Sequence, residues 1–269
     1  MNSKSNIRHT GAARSFIKEK LASGFVSFPL SEIKESTGLS SAAVMGQLAR
    51  LKETVVRVSA RQNFFLIVQP EHSAIGSPPV EWWLDDYFKW LDIRYYVALL
   101  SAASYFGSNQ QAIQETQIIS ERQRRDVVVG RIRLRFFVKS AAECSITQQL
   151  HGAYAPLVVS TVETTIIDLV KFAASVGGIE RVAETISPVL SLVKEKKLIT
   201  ALKAEDNIPV AQRLGYLLEV IGREDLAGSI KEWIKNPPKQ ILLSTHYDGI
   251  KSGPINKKWN VVNNSGSFV

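Results

Sequence analysis

The stretch from Gln69-Pro70 to Pro78-Pro79 constrains this chain more than any other. It holds His72, Ser73, Gly76 and Ser77, and its prolines and glycine interrupt both the helical and the strand periodicity. No regular element is expected to run through it, so the sequence predicts two folding units with a boundary near residue 75: residues 1–70, a linker over 71–79, and residues 80–269. A length of 269 residues suits two domains. With 45% hydrophobic residues, each unit has the means to bury a core.

Upstream of the break, Phe16, Ile17 and Leu21 fall at helical spacing between Arg14 and Ala22, and Gly24 stands where a helix C-terminus would place it. Phe25-Val26-Ser27-Phe28 reads as a short strand. Leu30-Ser31-Glu32-Ile33 opens a second helix, Thr37-Gly38-Leu39-Ser40 is a tight break, and a third helix is predicted from Ser41 to about Glu53. That helix places Val44, Leu48 and Leu51 on one face, and Ser41, Gln47, Arg50 and Lys52 on the other. Two β-rich runs, V-V-R-V-S and F-F-L-I-V, follow around the turn Ala60-Arg61-Gln62-Asn63. This order of elements is that of a winged helix-turn-helix.

Downstream, an amphipathic helix is predicted over Val80 to Leu91, and an apolar helix from Arg94 to Phe106 whose Ala98, Ser101, Ala102 and Ala103 permit close packing. Strands are predicted at Thr116–Ser120, Gly130–Val138 and Leu157–Ser160. Ser160-Thr161-Val162-Glu163 resembles a capping box, Ser160 and Glu163 serving the first amides of a helix that reaches about Ser175, before Gly177-Gly178. Helical patterns at 179–193, 195–205, 208–221 and 223–236 end at Asn236-Pro237-Pro238. An extended arm follows, with Trp259 and the two valines after it able to dock and the last five residues expected to fray. The fold class expected is α+β: an N-terminal winged helix-turn-helix domain plus a larger mixed α/β C-terminal domain ending in a helical region.

Net charge bears on partners through its distribution. The overall +8 divides unevenly: residues 1–69 carry 10 basic and 4 acidic side chains, residues 70–115 carry 2 and 6, and residues 116–140 carry 7 and 2. A helix that reads the major groove needs short or polar residues at its N-terminus, and Arg or Gln that can bond base edges in pairs. Ser40, Ser41, Gln47, Arg50 and Lys52 are of that type. Arg57, Arg61, Gln62 and Asn63 would supply a wing with backbone contacts. In the second basic block, Arg122, Arg124, Arg125, Arg131, Arg133, Arg135 and Lys139, three arginines alternate along one strand. This block suits a partner or nucleic-acid contact, or equally the solvated face of a sheet paired to the acidic 70–115 segment.

The one cysteine, Cys144, leaves no internal disulfide framework and no CxxC spacing for zinc. The four histidines, His9, His72, His151 and His246, form no HExxH-type pair. No phosphate loop, dinucleotide fingerprint or nucleophile elbow is present, and neither Asp85-Asp86 nor Glu163 with Asp168 makes a convincing acid/base pair. The expectation is a protein without catalytic residues, metal or cofactor. The absence of a signal-like N-terminus and of long apolar runs predicts a cytoplasmic chain without membrane contact. The rings of Trp82, Trp83, Tyr87, Phe88, Trp90, Tyr95 and Tyr96 suit core or interdomain packing better than a binding platform.

The winged-helix start, PPVEWWLDDYFKWLD, RYYVALLSAASYFGSNQQAIQETQIIS, GRIRLRFF, VVSTVETTIIDLVKFAASVGGIERVAE, VAQRLGYLLEVIG and PINKKWNVVN together resemble the AbiE-type antitoxin family, from about Arg14 to Asn263. The resemblance implies a type IV toxin–antitoxin system linked to phage defence by abortive infection. In it a winged helix represses its own operon, and a C-terminal domain counteracts a nucleotidyltransferase-like toxin, directly or indirectly. The partners expected are then double-stranded operator DNA with inverted repeats, and the toxin. Rival readings are a stand-alone winged-helix regulator and a metal-dependent nuclease.

Overall fold

The computed structural model describes residues 11–108, 115–140, 142–151, 156–235, 239–245 and 252–265. The expected stop at Asn236-Pro237-Pro238, the tail beyond Ser265, His9 and His246 lie outside the described residues.

Helix α1 (Ala12–Ala22) buries Ala13, Phe16 and Ile17. It closes as the sequence predicts: Gly24, at φ 80°, donates its N–H to Leu21 O while Phe25 donates to Lys20 O, the paired bonds of a Schellman turn. Strand β1 (Ser27–Pro29) leads directly into α2 (Leu30–Thr37). Helix α3 (Ser41–Ala49) stops short of Glu53. Beyond Ala49 the chain tightens, Leu51 N–H bonding Leu48 O and Val55 N–H bonding Leu51 O, because β-branched Val55 and Val56 enter β2 (Val55–Arg57). Lys52 therefore lies past the helix, and Arg50 caps its end.

Strand β3 (Phe64–Ile67) is the centre of an antiparallel β1-β3-β2 sheet and is buried on both faces. Phe65 and Ile67 face α1–α3, where Phe16 meets Phe28 edge-to-face at 5.1 Å and Phe28 stacks on Phe65 at 5.6 Å. Phe64 and Leu66 face the other way and join Val26 and Val58 in one core with Trp83, Leu84, Tyr87 and Phe88. The two parts of the chain thus share apolar packing.

The segment predicted as a linker is held by its surroundings. A 3-10 turn covers Pro70–His72, and Arg131 N–H donates to Ile75 O at 2.8 Å. At Gly130, φ 58°, an added Cβ would stand 2.2 Å from that same oxygen, so only glycine permits the approach. The helix expected from Val80 is a 3-10 turn at Val80–Trp82 followed by α4 (Leu84–Leu91).

Residues 94–98 correct the sequence reading. Instead of a helix, Tyr95-Tyr96-Val97 form β4 (Tyr95–Val97), and helix α5 (Leu99–Tyr105) starts only after Leu99 takes φ 54°. Two aromatics and a β-branched residue suit a strand, and in a central position they complete the ladders of two neighbours.

The next strands are β5 (Glu115–Ser120), β6 (Val127–Val129), β7 (Ile132–Val138), β8 (Thr147–His151) and β9 (Pro156–Ser160). Among the described residues they form a mixed sheet with β4, in the order β6-β7-β5-β4-β9-β8. Strands β6 and β8 go beyond the sequence expectation. β6 folds back on β7 through Gly130-Arg131, which places Arg131 in a turn rather than in the strand.

The sheet separates two cores. Val97, Ile118, Leu134, Phe136, Leu157 and Val159 face α4 and the N-terminal part. Tyr96, Ile119 and Phe137 face α5 and the helices α6 (Val162–Lys171), α7 (Ile179–Ile186), α8 (Glu195–Glu205), α9 (Ile208–Val220) and α10 (Glu224–Ile234). The expected capping box is displaced by one residue. Thr161 caps α6, its Oγ1 accepting from Thr164 N–H at 3.3 Å, while Glu163 accepts from Lys194 N–H at 3.1 Å and so fixes the approach to α8.

The C-terminal arm docks as its Trp259 and valines suggest. Strands β10 (Ile241–Leu242), β11 (Ile255–Asn256) and β12 (Val261–Val262) form a small sheet. The fully buried Trp259 lies on α9 at Gly215, where a Cβ would come within 2.2 Å of the ring, and its Nε1 donates to Glu219 at 2.5 Å.

Candidate nucleic-acid interface

Ser40 Oγ accepts from Ala43 N–H at 3.3 Å, so this hydroxyl caps α3. Ser41, Ala42 and Ala43 are exposed, leaving the first turn of α3 free of bulk. Gln47 is half-buried, and its Oε1 accepts from Ala13 N–H at 3.0 Å, satisfying an orphan amide at the start of α1. Its oxygen is thus used within the fold. Arg50 is exposed and lines a shallow depression of about 260 Å³ with Gly11, Arg14, Gln47 and Leu51; Lys52 is also exposed.

The β2–β3 turn is organised from within. Arg57 donates through Nε to Gln62 O at 2.8 Å, through Nη1 to Ala60 O at 3.1 Å, and through Nη2 to Asn63 Oδ1. Five donors in a planar fork allow one side chain to fix three points of a turn. Arg57 therefore ties the turn together, and Asn63 serves as its acceptor. Arg61 projects into solvent. Gln62 turns inward, its Oε1 accepting from the Tyr87 hydroxyl at 2.6 Å.

Tyr87 also receives a 3.3 Å bond from Arg124, whose guanidinium lies 5.6 Å from the Phe136 ring centre. Burial raises the Tyr87 phenol above its ordinary range, against the pull of Arg124 and Gln62. Sequence position puts Gln62 and Arg124 in separate basic regions; the fold joins them through one phenol. Arg124 is half-buried and its Nε has no partner among the described residues.

The rest of the second basic block is divided. Arg133 pairs with Asp126 at 3.2 Å and Arg135 with Glu115 at 3.4 Å, the latter guanidinium lying over Phe137. Arg122 stands 3.8 Å from Glu121. Arg125 and Arg131 are exposed. Lys139, counted with this block in the sequence, is buried.

Its ammonium lies 2.7 Å from both Asp168 and Glu205, while Lys171 holds the other oxygen of Glu205 at 2.5 Å. The Tyr96 hydroxyl donates to Asp168 at 3.0 Å. Burial alone would lower Lys139, but the two carboxylates outweigh it and hold its pKa above the usual lysine range. This network ties the end of β7 to α6 and α8. Nothing in the spacing of residues 96, 139, 168, 171 and 205 could have revealed it.

Other acidic residues act structurally. Asp85 accepts from Tyr95 at 3.1 Å and pairs with Lys89 at 2.7 Å, and Asp86 accepts from Ser27 at 2.9 Å. Among the described residues no three His, Cys, Asp or Glu side chains are grouped as a metal ion would require, and no helix is long and apolar enough to cross a membrane.

The chain resembles the crystal structure of the RV2827C protein from Mycobacterium tuberculosis, with a TM-score of 0.67 and 12% identity, covering 93% of this chain and 90% of that one. No curated protein sequence matches it significantly. Residues 96–220, running from β4 through α9, match the family model of the AbiEi antitoxin C-terminal domain. This segment, which contains nearly all of the large sheet, the Lys139–Asp168–Glu205 network and most of the helical layer, is similar to the AbiE-type antitoxins and supports that family for the chain.

Proposed function

We propose that this chain is a DNA-binding autorepressor and the antitoxin of a type IV toxin–antitoxin system, acting against a nucleotidyltransferase-like toxin in the cytoplasm. Residues 11–69 are read as a winged helix whose α3 enters the major groove of operator DNA. The observation that carries this reading is the exposed, small-residue first turn of α3, flanked by the exposed cations Arg14, Arg50 and Lys52. Ser41 and Arg50 face the bases and phosphates, and Arg61 at the turn tip reaches the backbone. Gln47, Arg57 and Gln62 shape this surface from within. Residues 80–269 carry the antitoxin role, with Arg125 and Arg131 the exposed arginines of the second basic block that stand outside its ion pairs with Glu121, Asp126 and Glu115.

The test compares the full chain with an Arg50→Ala/Arg61→Ala variant on DNA from upstream of its own gene, at several salt concentrations. The variant is expected to bind more weakly, with a salt slope shallower by about 0.9 for each phosphate it no longer neutralises. Unchanged affinity and slope would overturn the DNA reading. For the antitoxin reading, growth is followed on co-expression with the nucleotidyltransferase-like product of the neighbouring gene; persistent toxicity beside the folded full chain would overturn it. The full chain is used because β3 is buried on both faces and truncation near residue 75 would strip one of them.

A further inference from the structure

The turn at residues 60–63 hangs from two tethers of different kinds. The first belongs to the hairpin itself: the three acceptors of the Arg57 guanidinium, Ala60 O, Gln62 O and Asn63 Oδ1, all lie within the turn. Bonds that begin and end in one hairpin fix its internal shape and do not by themselves set its direction. The second tether comes from beyond residue 80. Tyr87, on α4, donates its hydroxyl to Gln62 Oε1 at 2.6 Å, and Arg124, between β5 and β6, donates to the same phenolic oxygen at 3.3 Å. The Tyr87 ring is fully buried, 5.4 Å from the ring of Phe64 at the start of β3 and 5.6 Å from that of Phe88.

Arg61 is exposed and stands directly before the residue that Tyr87 holds. A long, flexible cation contacts a phosphate at lower ordering cost when the backbone that carries it is already fixed in place. Tyr87 itself, with no surface in solvent, reaches no ligand and acts on one only through Gln62.

We propose that Tyr87 is a positioning residue for DNA binding: through Gln62 it holds Arg61 toward the phosphate backbone, and Arg124 keeps the phenol in place. The proposal rests on the DNA-binding reading above and adds that the surface formed by residues 11–69 is completed from the part of the chain read as the antitoxin. One arginine of the second basic block thereby enters DNA recognition by way of a buried hydroxyl rather than by its charge.

The test measures affinity against salt concentration on DNA from upstream of the chain's own gene, for the full chain, Tyr87→Phe, Arg61→Ala and their combination. Circular dichroism follows folding. Phenylalanine keeps the ring contacts and removes only the hydroxyl. A smaller folded fraction scales the apparent affinity at every salt concentration and leaves the slope unchanged, so the slope separates positioning from mere stability. Arg61→Ala is expected to make the slope shallower by about 0.9, the loss of one phosphate. Tyr87→Phe should make it shallower by a comparable amount, and should change it no further once Arg61 is alanine. Arg124→Met, which keeps an apolar stem beside Phe136 and removes the donor, should act in the same direction and again only while Arg61 is present; it decides the matter if Tyr87→Phe does not fold.

A Tyr87→Phe slope equal to that of the unsubstituted chain, beside a shallower Arg61→Ala slope, overturns the proposal and leaves the DNA reading standing. So does a Tyr87→Phe effect on the slope that persists in full without Arg61, or an unchanged Arg61→Ala slope beside a shallower one for Arg50→Ala. If Arg50→Ala and Arg61→Ala together change neither affinity nor slope, the DNA reading itself fails and this proposal fails with it.

Discussion

The Tyr87 hydroxyl donates to Gln62 Oε1 at 2.6 Å, and with it the tip of the β2–β3 turn is fastened to α4. Arg124 completes the chain by donating to the same phenolic oxygen. The turn is therefore built into the rest of the molecule, and its orientation is set by residues from three separate parts of the sequence.

Tyr87→Phe should lower the free energy of unfolding by about 1–3 kcal/mol, because a buried donor and acceptor lose their partner. Gln62→Ala should cost less than that, and the double variant less than the sum of the two, since both break the same bond. Chemical denaturation of the three variants checks this; additive losses would show the two groups to be independent.

Lys139→Met leaves Asp168 and Glu205 short of a buried cation, which typically costs about 3–5 kcal/mol. The pH dependence follows from the direction of the Asp168 shift, upward through burial and opposed by Lys139. A carboxyl with a raised folded-state pKa binds its proton more readily folded than unfolded, so stability falls as pH rises through that pKa. Removing Lys139 removes the opposing cation and strengthens this behaviour. The variant should thus recover melting temperature as pH falls from neutral toward the unfolded carboxyl pKa of about 4. Melting curves across that range, compared with those of the unsubstituted chain, test the sign.

Gly215→Ala would be expected to favour an exposed helix by about 1 kcal/mol. Here it should destabilise, because the added methyl would stand 2.2 Å from the Trp259 ring. Displacing the indole forfeits burial of the order of 3 kcal/mol. A red-shifted tryptophan emission and faster proteolysis of the C-terminal arm are the expected readouts; unchanged spectra would mean that the ring moves aside without loss.

Within the second basic block, Arg133→Ala and Arg135→Ala should each change stability by no more than about 1 kcal/mol, as expected for surface ion pairs. The paired substitution Arg125→Glu/Arg131→Glu should weaken suppression of the toxin more than either alanine variant does. Growth curves on co-expression distinguish the two sets, and equal suppression by all of them would remove the exposed arginines from the antitoxin role.

Much of the local structure is legible in the sequence because its causes are local. Gly24 ends α1, Ser40 caps α3, and the apolar spacing of the last helices places α8, α9 and α10. Tyr95-Tyr96-Val97 misleads because its strand conformation comes from ladders with β5 and β9, whose partner residues are distant in sequence. The third helix is shorter than its periodicity predicts for a similar reason: Val55 pairs with Ile67, and that bond competes with helix propagation.

The candidate interface divides along the same line. Residue type and order by themselves determined a basic N-terminal part with a short polar-tipped helix and a turn carrying Arg61, and they placed the chain beside the AbiE-type antitoxins. Only the tertiary structure decided which of these side chains reach solvent. Gln47 and Gln62 are hydrogen-bonded inward, Arg57 and Arg124 support the fold, and Lys139 is sealed between two carboxylates. A sequence displays charge and hydrogen-bonding capacity, but whether a group is spent inside the protein or left for a partner depends on what the distant chain brings within about 3 Å of it.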